Sequence, residues 1–291
     1  MMASLRQTMH IPVRPWHRDH RFGGRVILAA VEAMGLLAAT VRAAHPTVDV
    51  RIMEQGRFAG FLEIPAAVTG IDALVELEQV HNGGVCARLL TKKQLQTMTR
   101  MTTHCEVYYG CATQQRCLET APPSPTAPLL TINAQQVYQD LVPFGPAYRT
   151  LQDQLFLAAD SAWGTVRAPE LPQSSTEGIG SPFPLDGAMH AACVHGQRLV
   201  DFVPFPVGFA ARNITTPTLP GDCYHIRARL RTQAKNELVY DLWIIDQAGQ
   251  LRETIAELRM RDVSGGRIKP PAWIKKGLNG ENGARQEVES A

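Results

Sequence analysis

Leu185-Asp186-Gly187-Ala188-Met189-His190-Ala191-Ala192-Cys193 opens the run whose reading decides the fold. Its apolar residues recur at Leu185, Met189, Ala192, Cys193, Gly196 and Leu199, the spacing of a helix. Asp186 and His190, four residues apart, share one face of that helix. A helix this poor in charge needs cover on every side, and a sheet wrapped around it supplies that cover economically. Strand patterns follow at residues 224–232, 237–246 and 250–262. In the first of them Ile226, Ala228 and Leu230 face one way and Arg227, Arg229 and Arg231 the other, as in a sheet with one wet face. Asp246-Gln247-Ala248-Gly249 supplies turn residues, so the last two strands form a hairpin.

The same order occurs earlier in the chain. Ile27, Ala30, Val31, Met34, Leu37, Ala38 and Val41 predict a buried helix over residues 25–41, ending before His45-Pro46 because the residue before proline disfavours helical geometry. Strand patterns follow at 57–64, 73–80, 85–90 and 98–109. Asp19-His20-Arg21-Phe22-Gly23-Gly24 stands at the mouth of this first helix, as Asp186 stands at the mouth of the second. The proline-rich stretch from Ala121 to Pro128 reads as a linker. The fold class is α+β: an N-terminal unit over 1–120, a linker over 121–130, and a C-terminal unit over 131–270. The tail, 271–291, is rich in Gly, Asn, Glu and Lys and is expected to be disordered. Two such units in tandem leave a cleft between them, where a histidine and a carboxylate from distant segments form an acid and base pair.

Composition narrows the partners. The 29 basic and 27 acidic residues among 291 give a net charge of +2, so neither a nucleic acid nor a membrane surface is expected as a partner. No stretch approaches the ~20 apolar residues of a membrane helix, and residues 1–13 lack the apolar core of a secretory signal; a cytoplasmic location is expected. Six cysteines form no CxxC pair. His104, Cys105, Cys111 and Cys117 miss the usual ligand spacing of zinc, so the thiols are read as free and no metal is expected.

At the two helix entrances the chain resembles the dehydratase domains of modular polyketide synthases, which are double hotdog folds with two antiparallel sheets each wrapped around a central helix. In that family's HxxxGxxxxP motif His20 and Gly24 match, and Ala29 stands where the proline is usual. Asp186 and His190 match DxxxQ or DxxxH. Phe144-Gly145-Pro146-Ala147-Tyr148 resembles the YGPxF segment, with Phe144 lacking the tyrosine hydroxyl, and Val203-Pro204-Phe205 resembles the LPF stretch. The resemblance spans residues 16–263. Few residues precede Trp16, so the family's first hairpin is expected to be shortened or missing.

The resemblance implies a dehydratase acting on a 3-hydroxyacyl thioester held by the phosphopantetheine of an acyl carrier protein, in polyketide or fatty-acid-like biosynthesis, with no resident cofactor. His20 is the expected base, and neutral imidazole suits removal of an α-proton. Asp186 is the expected acid, its pKa raised by an apolar cleft, with His190 neutral beside it. Gly24, with Gly23, is expected at the helix entrance, where backbone N–H groups favour a developing oxyanion. Phe144, Gly145, Pro146, Tyr148, Pro204 and Phe205 are expected to wall the substrate channel. Other readings stay open. His17 competes as the histidine, Asp186 as an N-cap, and residues 144–148 as a structural turn, while His195 and Gln197 face the cleft or a subunit contact. A double-bond isomerase, a cyclase, or a degenerate docking scaffold would use the same fold. A homodimer or neighbouring synthase modules are further candidate partners.

Overall fold

The computed structural model describes residues 4–80, 83–94, 98–110, 118, 120–123, 127–172 and 178–275. The first half contains β1 (Ser4–Pro12), a helical turn at Pro15–Asp19, the short hairpin of β2 (Arg21–Phe22) and β3 (Arg25–Val26), helix α1 (Ala30–Ala44), and then β4 (Ile52–Phe58), β5 (Gly70–Gln79), β6 (Val85–Gln94) and β7 (Thr99–Tyr109). The second half contains β8 (Leu130–Asn133), β9 (Leu151–Leu157), β10 (Ser161–Arg167), helix α2 (Phe183–Leu199), β11 (Phe205–Gly208), β12 (Ala211–Ile214), β13 (Cys223–Ala234), β14 (Glu237–Asp246) and β15 (Leu251–Arg261).

Both halves use one connection rule. The strand before the helix, β1 or β10, lies beside the first strand of a three-stranded meander, β5-β6-β7 or β13-β14-β15. The chain after the helix, β4 or β11 with β12, closes on the far side of that meander. β4 pairs with both β11 and β12, so the halves fuse into one 13-stranded antiparallel sheet. This is the double hotdog. α1 buries Val31, Met34, Leu37, Ala38 and Val41 against its half, and every residue of α2 except Leu199 is buried. At the join Arg212 of β12 donates from Nε to Glu253 Oε1 of β15 at 2.7 Å, both side chains fully buried, and its Nη1 reaches the sulfurs of Met34 and Met53 in the other half.

Several boundaries differ from the sequence reading. β1 is present and pairs with β5 over nine residues, from Ser4 opposite Glu78 to Pro12 opposite Gly70, so the sheet begins earlier than expected. α1 starts at Ala30 instead of residue 25, because Arg21–Phe22 and Arg25–Val26 make a tight hairpin. The strand expected at 57–64 lies at Ile52–Phe58; Ile64 instead donates its N–H to the Val26 carbonyl, beside the loop that carries His20. β9 and β10, whose positive-φ Asp153 and register shift blur the alternation, were not anticipated. The described residues of the proline-rich stretch, 121–123 and 127–128, carry neither helix nor strand, and β8 begins at Leu130 inside the expected linker. The tail expected to be disordered begins with a helical turn, Ala272–Lys275, because Ile274 finds a fully buried seat; residues 276–291 lie outside the described residues.

Candidate active site

His20 follows the turn Pro15–Asp19 and precedes the β2–β3 hairpin. Gly23 and Gly24 close that hairpin with φ of 55° and 79°, a two-residue turn with both central residues left-handed. Gly24 lies six residues before α1, so it is not the helix-entrance donor expected from the sequence; positive φ at both glycines turns the chain back before the helix begins. The hairpin returns Ile27 to His20. Ile27 N–H donates to the His20 carbonyl at 3.0 Å, and His20 Nδ1 lies 2.9 Å from the Ile27 carbonyl oxygen. A carbonyl only accepts, so Nδ1 carries the proton and Nε2 of the neutral ring carries a lone pair. Burial lowers the His20 pKa from its usual 6.5, against opposing pulls from the Asp186 charge and the Ile27 carbonyl, and the ring is neutral at pH 7. His17 does not compete for this role. Its Nδ1 accepts from Arg14 N–H at 3.2 Å, and burial lowers its pKa to about 4, helped by Arg14 and His20.

Asp186 lies in the first turn of α2, four residues beyond the N-cap position occupied by Pro182, so the N-cap reading fails. Asp186 Oδ2 and His190 Nε2 are 2.8 Å apart. Distance alone would make this a hydrogen bond, but the angles are poor, and both buried atoms are left without a directed hydrogen-bond partner among the described residues. Tyr138, from the helical segment at 134–141, fixes the other side of His190. Its hydroxyl accepts from Leu151 N–H at 2.9 Å and lies 3.3 Å from His190 Nδ1, to which it can donate. With Nδ1 turned to Tyr138, Nε2 is the ring nitrogen that faces the carboxylate. The Phe144 ring contacts both imidazoles, 4.4 Å from His20 and 5.1 Å from His190 between centroids.

His20, Asp186 and His190 line one cavity of about 320 Å³ with otherwise largely apolar walls, including Ile27, Leu28, Phe58, Leu62 and Met189. Of the expected channel residues, Phe144, Pro204 and Phe205 line it. Gly145, Pro146 and Tyr148 do not. Gly145 N–H donates to the Asp19 carbonyl at 2.7 Å and Ala147 N–H to Asp19 Oδ2 at 2.9 Å, so the Gly-Pro segment clamps the residue next to His20 instead of walling the channel. Tyr148 is fully buried, its ring 5.1 Å from His20, with its hydroxyl donating a long 3.5 Å bond to Glu32 Oε1.

Glu32 was missed by the sequence reading. Trp16 Nε1 also donates to its Oε1, at 3.0 Å, and His17 Nε2 lies 3.9 Å away. Burial pushes its carboxyl up to about 6; the Trp16 and Tyr148 bonds pull it down and the Asp186 charge pushes it up. The available signal was that Glu32 is the one acidic residue in the apolar stretch 25–41. Tyr138 carried no such signal, because its partners come from α2 and β9.

The remaining polar candidates serve packing. His104 lines the cavity, with Nδ1 donating to Gly60 O at 3.2 Å and Nε2 accepting from Thr91 Oγ1 at 2.8 Å. Burial pushes the Cys105 thiol up to about 12; Cys111 and Cys117 lie outside the described residues. Among the described residues no group of three or more His, Cys, Asp and Glu could hold a metal ion. His195 lies 2.9 Å from the Tyr240 hydroxyl and 3.3 Å from the Ala158 carbonyl, while Gln197 donates to the Leu141 carbonyl. Neither points at a subunit contact; both are fully buried. Among the described residues no helix is long and apolar enough to cross a membrane.

The sequence profile described as polyketide synthase dehydratase N-terminal domain matches residues 118–268. No curated protein matches the chain. Among solved structures, the chain is similar to a trans-AT PKS dehydratase domain from Brevibacillus brevis, with 14% identity, TM-score 0.70, and coverage of 90% of this chain and 94% of that one. It is similar to the dehydratase domain from the CurJ module of curacin polyketide synthase at 15% identity and TM-score 0.70, covering 89% and 91%. It is also similar to the bifunctional dehydratase-cyclase domain in ambruticin biosynthesis at 17% identity and TM-score 0.66, again covering 89% and 91%.

Proposed function

This chain belongs to the polyketide synthase dehydratase family, and we propose that it removes water from a 3-hydroxyacyl thioester held by an acyl carrier protein, with His20 as base and Asp186 as acid. The observation carrying this reading is that the His20 imidazole, whose Nδ1 is taken by the Ile27 carbonyl so that Nε2 keeps its lone pair, and the Asp186 carboxyl line the same apolar cavity. His20 Nε2 takes the α-proton, which the thioester makes acidic. The Asp186 carboxyl gives a proton to the β-hydroxyl; the C–O bond breaks, water leaves and the 2,3-enoyl thioester remains. The proton on His20 then returns to Asp186 to reset the pair.

Charge developing on the thioester oxygen needs donors other than the Gly23-Gly24 turn. The first turn of α1 meets the cavity at Ala30, and its leading N–H groups, at Ala30 and Val31, are assigned that part. His190, held by Tyr138, stands beside the acid with Nε2 2.8 Å from Asp186 Oδ2. The substrate arrives on the phosphopantetheine of a carrier protein, without a resident cofactor. A cytoplasmic setting and neighbouring synthase modules, or a second copy of the chain, complete the proposal.

The test is to incubate the protein with 3-hydroxyacyl thioesters on a carrier protein or a pantetheine mimic and to follow enoyl formation. His20→Ala and Asp186→Asn should each lower turnover by roughly 10²–10⁴-fold. Turnover unaffected by either substitution overturns the assignment. A shifted double bond or a ring product in place of the 2,3-enoyl thioester would establish the isomerase or cyclase reading instead.

A further inference from the structure

Two separate chain segments bring His20 and Phe144 to the cavity, and neither is held there by regular secondary structure. His20 follows a single helical turn and Phe144 lies between the segment 134–141 and the turn Pro146–Tyr148. Each segment carries a buried aromatic N–H or O–H donor close to its cavity residue: Trp16, four residues before His20, and Tyr148, four residues after Phe144. Both donate to the same atom, Glu32 Oε1, at 3.0 and 3.5 Å. Glu32 does not line the cavity; it projects from the first turn of α1 behind it.

We propose that Glu32 is a positioning residue for the base: one carboxylate on α1 ties the segment carrying His20, through Trp16, to the segment carrying Phe144, through Tyr148. The inference rests on His20 acting as the base, and its geometry has a direct consequence. With Glu32 removed, the indole N–H and the phenol O–H lose their shared acceptor inside a buried site, where an unmet polar group is costly. The two segments then lose their common reference to α1. The ring contacts of His20, 4.4 Å to Phe144 and 5.1 Å to Tyr148, are what that reference maintains. The charged or titratable groups facing Glu32 are His17, with Nε2 at 3.9 Å, Tyr148, and Asp186, whose charge reaches it from α2.

The experiment compares Glu32→Ala and Glu32→Gln with the wild type in enoyl formation and in NMR spectra of the Trp16 indole and the His20 ring. Glu32→Ala should lower kcat by about tenfold or more, the range expected of a misplaced catalytic group, with KM changed little. Glu32→Gln retains an oxygen acceptor and should restore most of kcat. The Trp16 indole resonance should titrate near pH 6 in the wild type and cease to do so in Glu32→Gln. The His20 contacts to Phe144 and Tyr148 should weaken in Glu32→Ala and return in Glu32→Gln. Wild-type kcat in a folded Glu32→Ala, or unchanged His20 ring contacts, would overturn the proposal. If Glu32→Ala does not fold, Trp16→Phe and Tyr148→Phe each delete one tie, and the same ring contacts decide the matter. A wild-type protein that dehydrates no thioester would refute the functional reading, while the NMR contacts would still test the brace.

Discussion

Replacing Gly145 with alanine tests how rigidly His20, the proposed base, is held from outside the cavity. Gly145 has φ −75° and ψ 176°, which alanine adopts without strain, so any effect comes from the added methyl. That methyl would stand 2.3 Å from Asp19 Oδ1, 2.5 Å from its Cγ and 2.7 Å from its Cβ, where ordinary contacts begin at 3.4 Å. Asp19 therefore has to retreat by about 1 Å, and its bonds to the backbone N–H groups of Gly145 and Ala147 strain or break. His20 is the next residue. A displacement of ~1 Å at a reacting group is worth up to ~10²-fold in rate, and overpacking costs ~1–3 kcal/mol of stability. We expect Gly145→Ala to lose about 10–100-fold in kcat for enoyl formation while its unfolding transition remains cooperative. Gly24→Ala is the contrast: its φ of +79° strains the turn, but the methyl has nothing within 4 Å to push against. A folded Gly145→Ala protein with kcat within twofold of the wild type would refute the claim that the Gly-Pro segment fixes His20.

The acid limb of kcat/KM should lie below pH 6.5, because burial lowers the His20 pKa and the base stays neutral until the pH falls through that lowered value; a limb at or above 6.5 would contradict the assigned environment. Stability should fall on acidification as well. His17 and His195, both buried and lowered to about 4, contribute stability that is fully present above 6.5 and is lost as the pH falls towards 4, about 2 kcal/mol each by pH 5. Glu32, raised to about 6, acts in the opposite sense and returns about 1 kcal/mol over the same range. The Tm should therefore be lower at pH 5 than at pH 7, and an unchanged Tm would refute this. Tyr138→Phe removes the partner of both Leu151 N–H and His190 Nδ1 and should cost roughly 1–3 kcal/mol in denaturant unfolding, with reduced kcat; full stability and full rate would show that His190 is held otherwise. Arg212→Met strands the buried Glu253 and should cost about 3–5 kcal/mol, which a further Glu253→Met should largely relieve. A loss confined to the double variant would contradict the buried-pair account.

Some of this protein was determined by sequence alone. The periodicity of residues 185–199 and the meander after it required a buried helix wrapped by antiparallel strands, because apolar side chains at helical spacing need cover and alternating strands have one dry face to give. The order of His20, residues 144–148 and Asp186 likewise marked two ionisable side chains that the fold brings to one cavity. Tertiary structure decided the rest. Gly24 moved from a helix entrance to a hairpin turn because positive φ at two successive glycines reverses the chain, which no hydrophobic count reveals. Gly145 and Pro146 became a clamp on Asp19, and Tyr148 a ligand of Glu32, because hydrogen bonds between residues more than a hundred positions apart leave no local periodicity. The protonation of His20 was decided the same way. Its residue type offered two ring nitrogens, and the returning Ile27 carbonyl selected which of them remains free to act.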